Sequence, residues 1–299
     1  MYFVGHKMYF MSKLFKKILV PVDFTEGSDI AIRKAVQLAE PSEAAICLLY
    51  ICKPLFSLKL FSNTGYFIAP VTEILTVEEI EQKIRGYKSY ILDNLDSVIV
   101  ETVISESGRV QSKIEETAAL FGSDLIILYK RGNKSVFHFY NALSSDQIAK
   151  NTDCPVLTIK EGSGERKIRN IVVPVTQRIP ERKLELAIKI AKIFNANIHL
   201  ISFPDHRGLE GKSDMAFIES FKKIRQNASL IIKHGPVYGS DVARAVLKYS
   251  ESVHADMILV NPFTESTIHY VIGKLHISDM LPEHSPIQIL DIEPYYHAN

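Results

Sequence analysis

Lys17-Ile18-Leu19-Val20-Pro21-Val22-Asp23 recurs later in the chain as Asn170-Ile171-Val172-Val173-Pro174-Val175-Thr176. Asp153-Cys154-Pro155-Val156-Leu157-Thr158-Ile159 recurs in the same way as His284-Ser285-Pro286-Ile287-Gln288-Ile289-Leu290. The opening run is largely apolar and rich in branched residues, as in a parallel strand covered on both faces. Because one run opens and the other closes each half, the chain reads as a duplicated unit of about 150 residues.

The two copies differ in length at one place. Their first strands and first helices align at one spacing, whereas Asp124 with Asp256, and Pro155 with Pro286, align at a spacing shorter by about 20 residues. The extra chain in copy one is 53–75, with Pro54, Phe56, Phe61, Gly65, Tyr66, Phe67 and Pro70. It is too long and too apolar for a plain connector, and is expected to pack on its own half or on the other.

The chain has 299 residues, of which 46% are hydrophobic and 23% charged, enough for two buried cores. Lys+Arg 35 against Asp+Glu 34 gives a net charge of +1, so no bulk field draws it to nucleic acid or an anionic membrane. Charged and small residues break 1–15 into pieces too short for a signal core or a span, and 1–10 reads as an extension or an over-called start. Cys47, Cys52 and Cys154 lack metal-type spacing and read as small hydrophobes in a reducing cytoplasm.

Periodicity predicts strands and helices in alternation, the signature of a doubly wound parallel sheet. In copy one these are strand 17–24, a helix capped by Ser28, strand 44–51, helix 77–95, strand 98–105, helix 110–121, strand 124–129, helix 144–150 and strand 155–160. In copy two they are strand 170–175, helix 181–194, strand 197–203, helix 214–226, strand 228–234, helix 241–254, strand 257–260 and strand 287–292. The predicted units are 16–160 and 169–293, joined by 161–168, where Glu161-Gly162-Ser163-Gly164-Glu165 reads as a short flexible linker.

Ile18 to Phe24 ahead of an amphipathic helix, Asp124-Leu125-Ile126-Ile127, and a closing Cys154-Pro155-Val156-Leu157 together resemble the universal stress protein (UspA-like) family. The resemblance covers both halves and implies a tandem member. Its implied fold is two flavodoxin-like (adenine nucleotide alpha hydrolase-like) five-stranded parallel sheets with helices on both faces, packed as a pseudo-dimer through their last strands. A further homodimer is expected on surfaces left free.

Nucleotide-binding members of that family carry a Gly-x-x-Gly turn after the fourth strand, then nine residues, then Gly-Ser or Gly-Thr. Glycines there let backbone amides reach phosphates, and an Asp closing the first strand contacts the nucleoside. Carried over residue by residue, Tyr129 stands at the first Gly, Gly132 at the second, Ala142 at the third and Leu143 at the hydroxyl position. In copy two Thr176 replaces the Asp, Asn261 and Thr264 stand at the turn, and Gly273 aligns with the third Gly. Only Asp23 and Gly132 keep the pattern in copy one, so the implied pocket for ATP or another nucleotide is degenerate.

Lys130-Arg131-Gly132-Asn133-Lys134 follows a strand end and reads either as a solvated basic loop or as side-chain anion ligands. The candidate ligand set is therefore Asp23, Lys130, Arg131, Gly132 and Lys134. His269, His276 and His284 lack metal-type helical spacing and are expected at the surface or at helix ends, and no metal site is expected. Ser144-Ser145-Asp146-Gln147 reads as a helix start, and no catalytic motif is present. The leading expectation is a cytoplasmic stress-response binding module with an unidentified protein partner, and no nucleic-acid or membrane partner. A nucleotide sensor or slow ATPase working through the first half is the rival.

Overall fold

The structure, a computed structural model, describes residues 14–52, 59–62, 65–68, 75–106, 108–131, 143–164, 166–176, 178–203, 212–227, 230–239, 241–269 and 274–294. Its first half runs β1 (Lys17–Val22), α1 (Glu26–Ala39), β2 (Ala45–Ile51), β3 (Lys59–Ser62), β4 (Gly65–Ile68), α2 (Val77–Asn94), β5 (Val100–Ser105), α3 (Val110–Phe121), β6 (Leu125–Tyr129), α4 (Ser145–Thr152) and β7 (Val156–Ile159). The second half runs β8 (Asn170–Val175), α5 (Glu181–Phe194), β9 (Asn197–Ser202), α6 (Lys212–Arg225), β10 (Ile232–Pro236), α7 (Val242–Ser252), β11 (Met257–Val260), β12 (Thr267–His269), β13 (Lys274–His276), α8 (Ile277–Met280) and β14 (Gln288–Asp291).

Ten strands make one sheet in the order β10-β9-β8-β11-β14-β7-β6-β1-β2-β5. Each half contributes five strands in the same order, parallel throughout, and the halves meet where β14 runs antiparallel to β7. An antiparallel junction between like strands is what a two-fold axis between duplicated units produces, so the expected pseudo-dimer is a continuous sheet. The insertion in copy one forms the antiparallel hairpin β3–β4, while 53–58, 63–64 and 69–74 lie outside the described residues.

The repeated run folds as a central strand because its side chains have apolar neighbours on both faces. Ile18, Leu19, Val20 and Val22 are fully buried, as are Ile171, Val172, Val173 and Val175. Each such side chain contributes about 1.5–3 kcal/mol of apolar transfer. One acid anchors each copy: Asp124 accepts the Lys16 and Lys17 amides, and Asp256 accepts those of Arg169 and Asn170.

The proline in each run decides where the sheet opens. β1 follows β2 along its whole length from Lys17 to Val22, but pairs with β6 only at Ile18 and Leu19. Lys17 turns its carbonyl toward Asp124, so by alternation Pro21 faces β6 with no N–H to give. The ladder ends there, and the strands part at the switch point of the sheet. Pro174 does the same between β8 and β11.

Ser28 does not cap the first helix as expected. The helix begins at Glu26, and the Ser28 hydroxyl, buried in its first turn, bonds back to Asp23. The linker also differs from expectation, because Glu161–Ser163 is a packed 3-10 turn. Ser163 is fully buried, and the Glu161 amide donates to the Glu283 carbonyl at 3.1 Å. A Cβ on Gly162 would lie 2.1 Å from the His284 carbonyl oxygen, so only glycine lets the two halves close at this point. Gly162→Ala is expected to cost about 1–3 kcal/mol, read as a lower urea midpoint at unchanged slope.

Candidate functional site

The opening past Pro21 is where a parallel α/β sheet binds ligands, and in the first half aromatic rings line it. Phe24, held at φ 60, stacks on Tyr50 at 4.6 Å and on Tyr87 at 5.9 Å between ring centroids. Burial raises the pKa of both tyrosines, so their hydroxyls stay protonated. Tyr129, at the end of β6, has its ring against Gly27 in the first turn of α1. A Cβ on Gly27 would sit 2.2 Å from the Tyr129 ring, so the missing side chain at Gly27 makes the space that the ring fills.

Asp23 ends β1 in this opening. Its Oδ1 accepts the Thr25 amide at 3.1 Å, the Thr25 hydroxyl at 2.6 Å and the Ser28 hydroxyl at 2.8 Å. These bonds hold the turn from β1 into α1 and orient the carboxylate.

Lys130 and Arg131 pair with acids of the other half, and Arg131 also meets the Tyr129 hydroxyl. Lys130 is buried, with Nζ 3.2 Å from Asp279 Oδ1, and Arg131 Nε is 3.7 Å from Glu283 Oε1. Buried Lys160 donates to the Arg131 carbonyl at 3.3 Å, and burial lowers its pKa to about 8. Gly132, Lys134 and Ala142 lie outside the described residues, and Leu143 is buried under α3 and α4.

The equivalent opening of the second half holds a buried ion pair that the sequence reading missed. Lys183 Nζ meets Glu265 Oε2 and donates to the Pro174 carbonyl at 2.6 Å, and both side chains are fully buried. Glu265 also accepts the Asn261 amide at 2.9 Å and the Thr176 hydroxyl at 3.5 Å. The positions that align with Asp23 and the first turn glycine thus serve one internal carboxylate. Gly273 lies outside the described residues, and Thr264 is exposed. A signal was present, since Lys183 falls in helical register with the apolar stripe Ala187, Ile190 and Ala191, where a cation needs a buried partner.

At the junction of the halves, His276 Nε2 lies 3.0 Å from Asp291 Oδ1 and 3.2 Å from Asp146 Oδ1. His276 stands at a helix end, as expected of the histidines, but it is buried there rather than at the surface. His284 is exposed and pairs with Glu161 at 2.7 Å, and the side chain of His269 lies outside the described residues. Ser144 caps α4 through the Gln147 amide, which leaves Asp146 free to reach across to the second half. Cys47 and Cys154 are buried, and burial raises both thiols, Cys47 to about 12. An open cleft of about 380 Å³ lies beside the edge strand β10, lined by Phe221, Arg225 and His234.

Two doubly wound halves of identical strand order, each with a split at its switch point, define a tandem flavodoxin-like α/β protein. Residues 14–160 match the Universal stress protein family, and the chain belongs to it, its second half repeating the order of the first. The whole chain is similar to a crystal structure of a universal stress protein from Archaeoglobus fulgidus, at TM-score 0.62 and 13% identity, over 94% of this chain and 97% of that one. A protein of unknown function from Pseudomonas aeruginosa is similar at TM-score 0.58 and 14% identity, over 94% and 93% of the two chains. The cytoplasmic domain of a prokaryotic cation chloride cotransporter is similar at TM-score 0.55 and 12% identity, over 93% and 95%. At such identities the likeness speaks for fold alone. No curated protein matches the chain's sequence. Among the described residues no helix is long and apolar enough to cross a membrane.

Proposed function

We propose that the protein is a stress-response module that works by binding and assembly, its first-half opening being a nucleotide site degraded or retuned. The observation that carries this reading is the Tyr129 ring on Gly27, set where a phosphate would need bare backbone. Lys130 and Arg131 support it by facing Asp279 and Glu283, and the Lys183–Glu265 pair supports it for the second half. The same reading takes 16–160 and 169–293 as the two units, a cytoplasmic setting, a protein partner and a homodimer on surfaces away from the β7–β14 junction.

The rival reading, a nucleotide sensor or slow ATPase, takes Asp23, Lys130, Arg131, Gly132 and Lys134 as ligands of ATP or another nucleotide. Calorimetric titration with ATP, ADP and cyclic nucleotides separates the two. No submicromolar binding is expected, since that affinity needs about 8 kcal/mol or more. Tight, magnesium-dependent ATP binding that Asp23→Ala abolishes would establish the sensor instead. The triple change Tyr129→Gly, Ala142→Gly, Leu143→Ser is expected to raise ATP affinity measurably, at a stability cost on the order of a few kcal/mol. A folded triple variant that ignores ATP would mean that the opening has diverged beyond these three positions.

A further inference from the structure

We infer that Asp146, His276 and Asp291 form a site for one divalent transition-metal ion of the zinc class, held between the two halves of the chain. Asp146 comes from the first turn of α4 in the first half, while His276 precedes α8 and Asp291 ends β14 in the second. All three are buried, and one ligand atom from each lies within 4.8 Å of the others. The spacings of Nε2 to the two carboxylates, 3.0 and 3.2 Å, are close to the edge of a coordination tetrahedron. Bonds of about 2.0–2.1 Å from a central zinc ion place neighbouring ligand atoms about 3.3 Å apart.

The electrostatics leave a place for a cation. Two carboxylates face one imidazole away from water. The two carboxyl groups also meet each other, one Nε2–H is shared between their Oδ1 atoms, and among the described residues no N–H or O–H donor reaches buried Asp291 Oδ2. An unmatched carboxylate oxygen in the interior is costly, and a bound dication supplies what it lacks.

The surrounding groups orient the three as metal ligands are oriented elsewhere. The Ser278 hydroxyl lies 2.6 Å from His276 Nδ1, where it can accept Nδ1–H and leave the Nε2 lone pair toward the carboxylates. Ser266 and Thr267 donate to the two oxygens of Asp146 at 2.8 and 2.9 Å. In the metal-free state the Ser278 amide, 3.1 Å from Nδ1, donates there instead, and Nε2–H bonds the carboxylates. One imidazole with two carboxylates suits zinc, manganese or iron better than calcium, which takes six to eight oxygens. Burial of every ligand marks the site as structural, a staple across the junction.

The test uses the full, tag-free chain refolded with Zn²⁺, in parallel with Mn²⁺ and Ca²⁺. Elemental analysis after desalting is expected to find about one zinc per chain, and chelation is expected to lower the thermal midpoint in a way that added Zn²⁺ reverses. Asp291→Asn, which keeps the shape, is expected to weaken zinc binding by about 100-fold or more and to lose the zinc-dependent midpoint. Asp279→Asn, which breaks the neighbouring cross-half ion pair, is expected to keep both. Should Asp291→Asn fail to fold, the chelation experiment on the unaltered chain still decides. Substoichiometric zinc and manganese together with a midpoint indifferent to chelator would overturn the site, as would zinc retained in folded Asp291→Asn.

Discussion

Lys183→Met is expected to lower unfolding stability by about 3–5 kcal/mol, because it leaves the Glu265 carboxylate buried with no cation. Glu265 already uses the Asn261 amide and the Thr176 hydroxyl, and neither replaces a full charge. Glu265→Gln is expected to cost a similar amount by leaving Lys183 buried without a counter-charge, since burial already lowers the pKa of Lys183 against the pull of Glu265. The double change Lys183→Met, Glu265→Gln removes both charges yet keeps an acceptor for the Asn261 amide. It is expected to lie within about 1–2 kcal/mol of the unaltered chain, giving a coupling energy of several kcal/mol. Urea denaturation of the four proteins at neutral pH measures the cycle. A single variant that loses less than about 1 kcal/mol would mean that water reaches the site and that the pair does not plug the opening.

What the sequence made legible follows burial. β8, α5, α3 and β11 fall on their expected bounds, because each is a run or stripe with one clear period and apolar neighbours on its inner face. β10 is displaced from the expected 228–234 to Ile232–Pro236. It is the edge strand, half exposed, and the apolar stretch Leu230-Ile231-Ile232 marks its approach while its pairing with β9 sets its place. β12, β13 and α8 went unread because their role is polar: Ser266, Thr267 and His276 are there to meet Asp146, a long-range requirement that no local period encodes.

The candidate site was legible in its chemistry but not in its partners. Tyr129 at a glycine position announces a steric obstacle, and the ring is found against Gly27, a residue distant in sequence that had no reason to stand out. The cations of the basic turn announce an anion. For Lys130 and Arg131 that anion is the chain's own second half, through Asp279 and Glu283, and only the junction of the sheets brings those acids into place.

That junction carries the second large effect. Leu157 of β7 stands directly opposite Leu290 of β14, and neither is exposed. Leu157→Asp places a carboxylate in an apolar layer with no donor to meet it, so a loss of more than about 4 kcal/mol is expected. Leu120→Asp, on an 83% exposed helix position, serves as the control and is expected to stay within about 0.5 kcal/mol. The form of the loss matters more than its size. Arg182 of the second half reaches Asp153 of the first, His276 reaches Asp146, and one apolar core runs through both halves beneath the β7–β14 pairing, so the two halves are coupled across that junction. Splitting it is expected to turn one urea transition into two. It is also expected to release Lys130 and Arg131 from their acids, so that a folded first half freed in this way binds inorganic phosphate more tightly than the intact chain does. A single transition with unchanged phosphate affinity would mean that the halves hold together without β7 and β14, and that the basic turn is not neutralised by its neighbour.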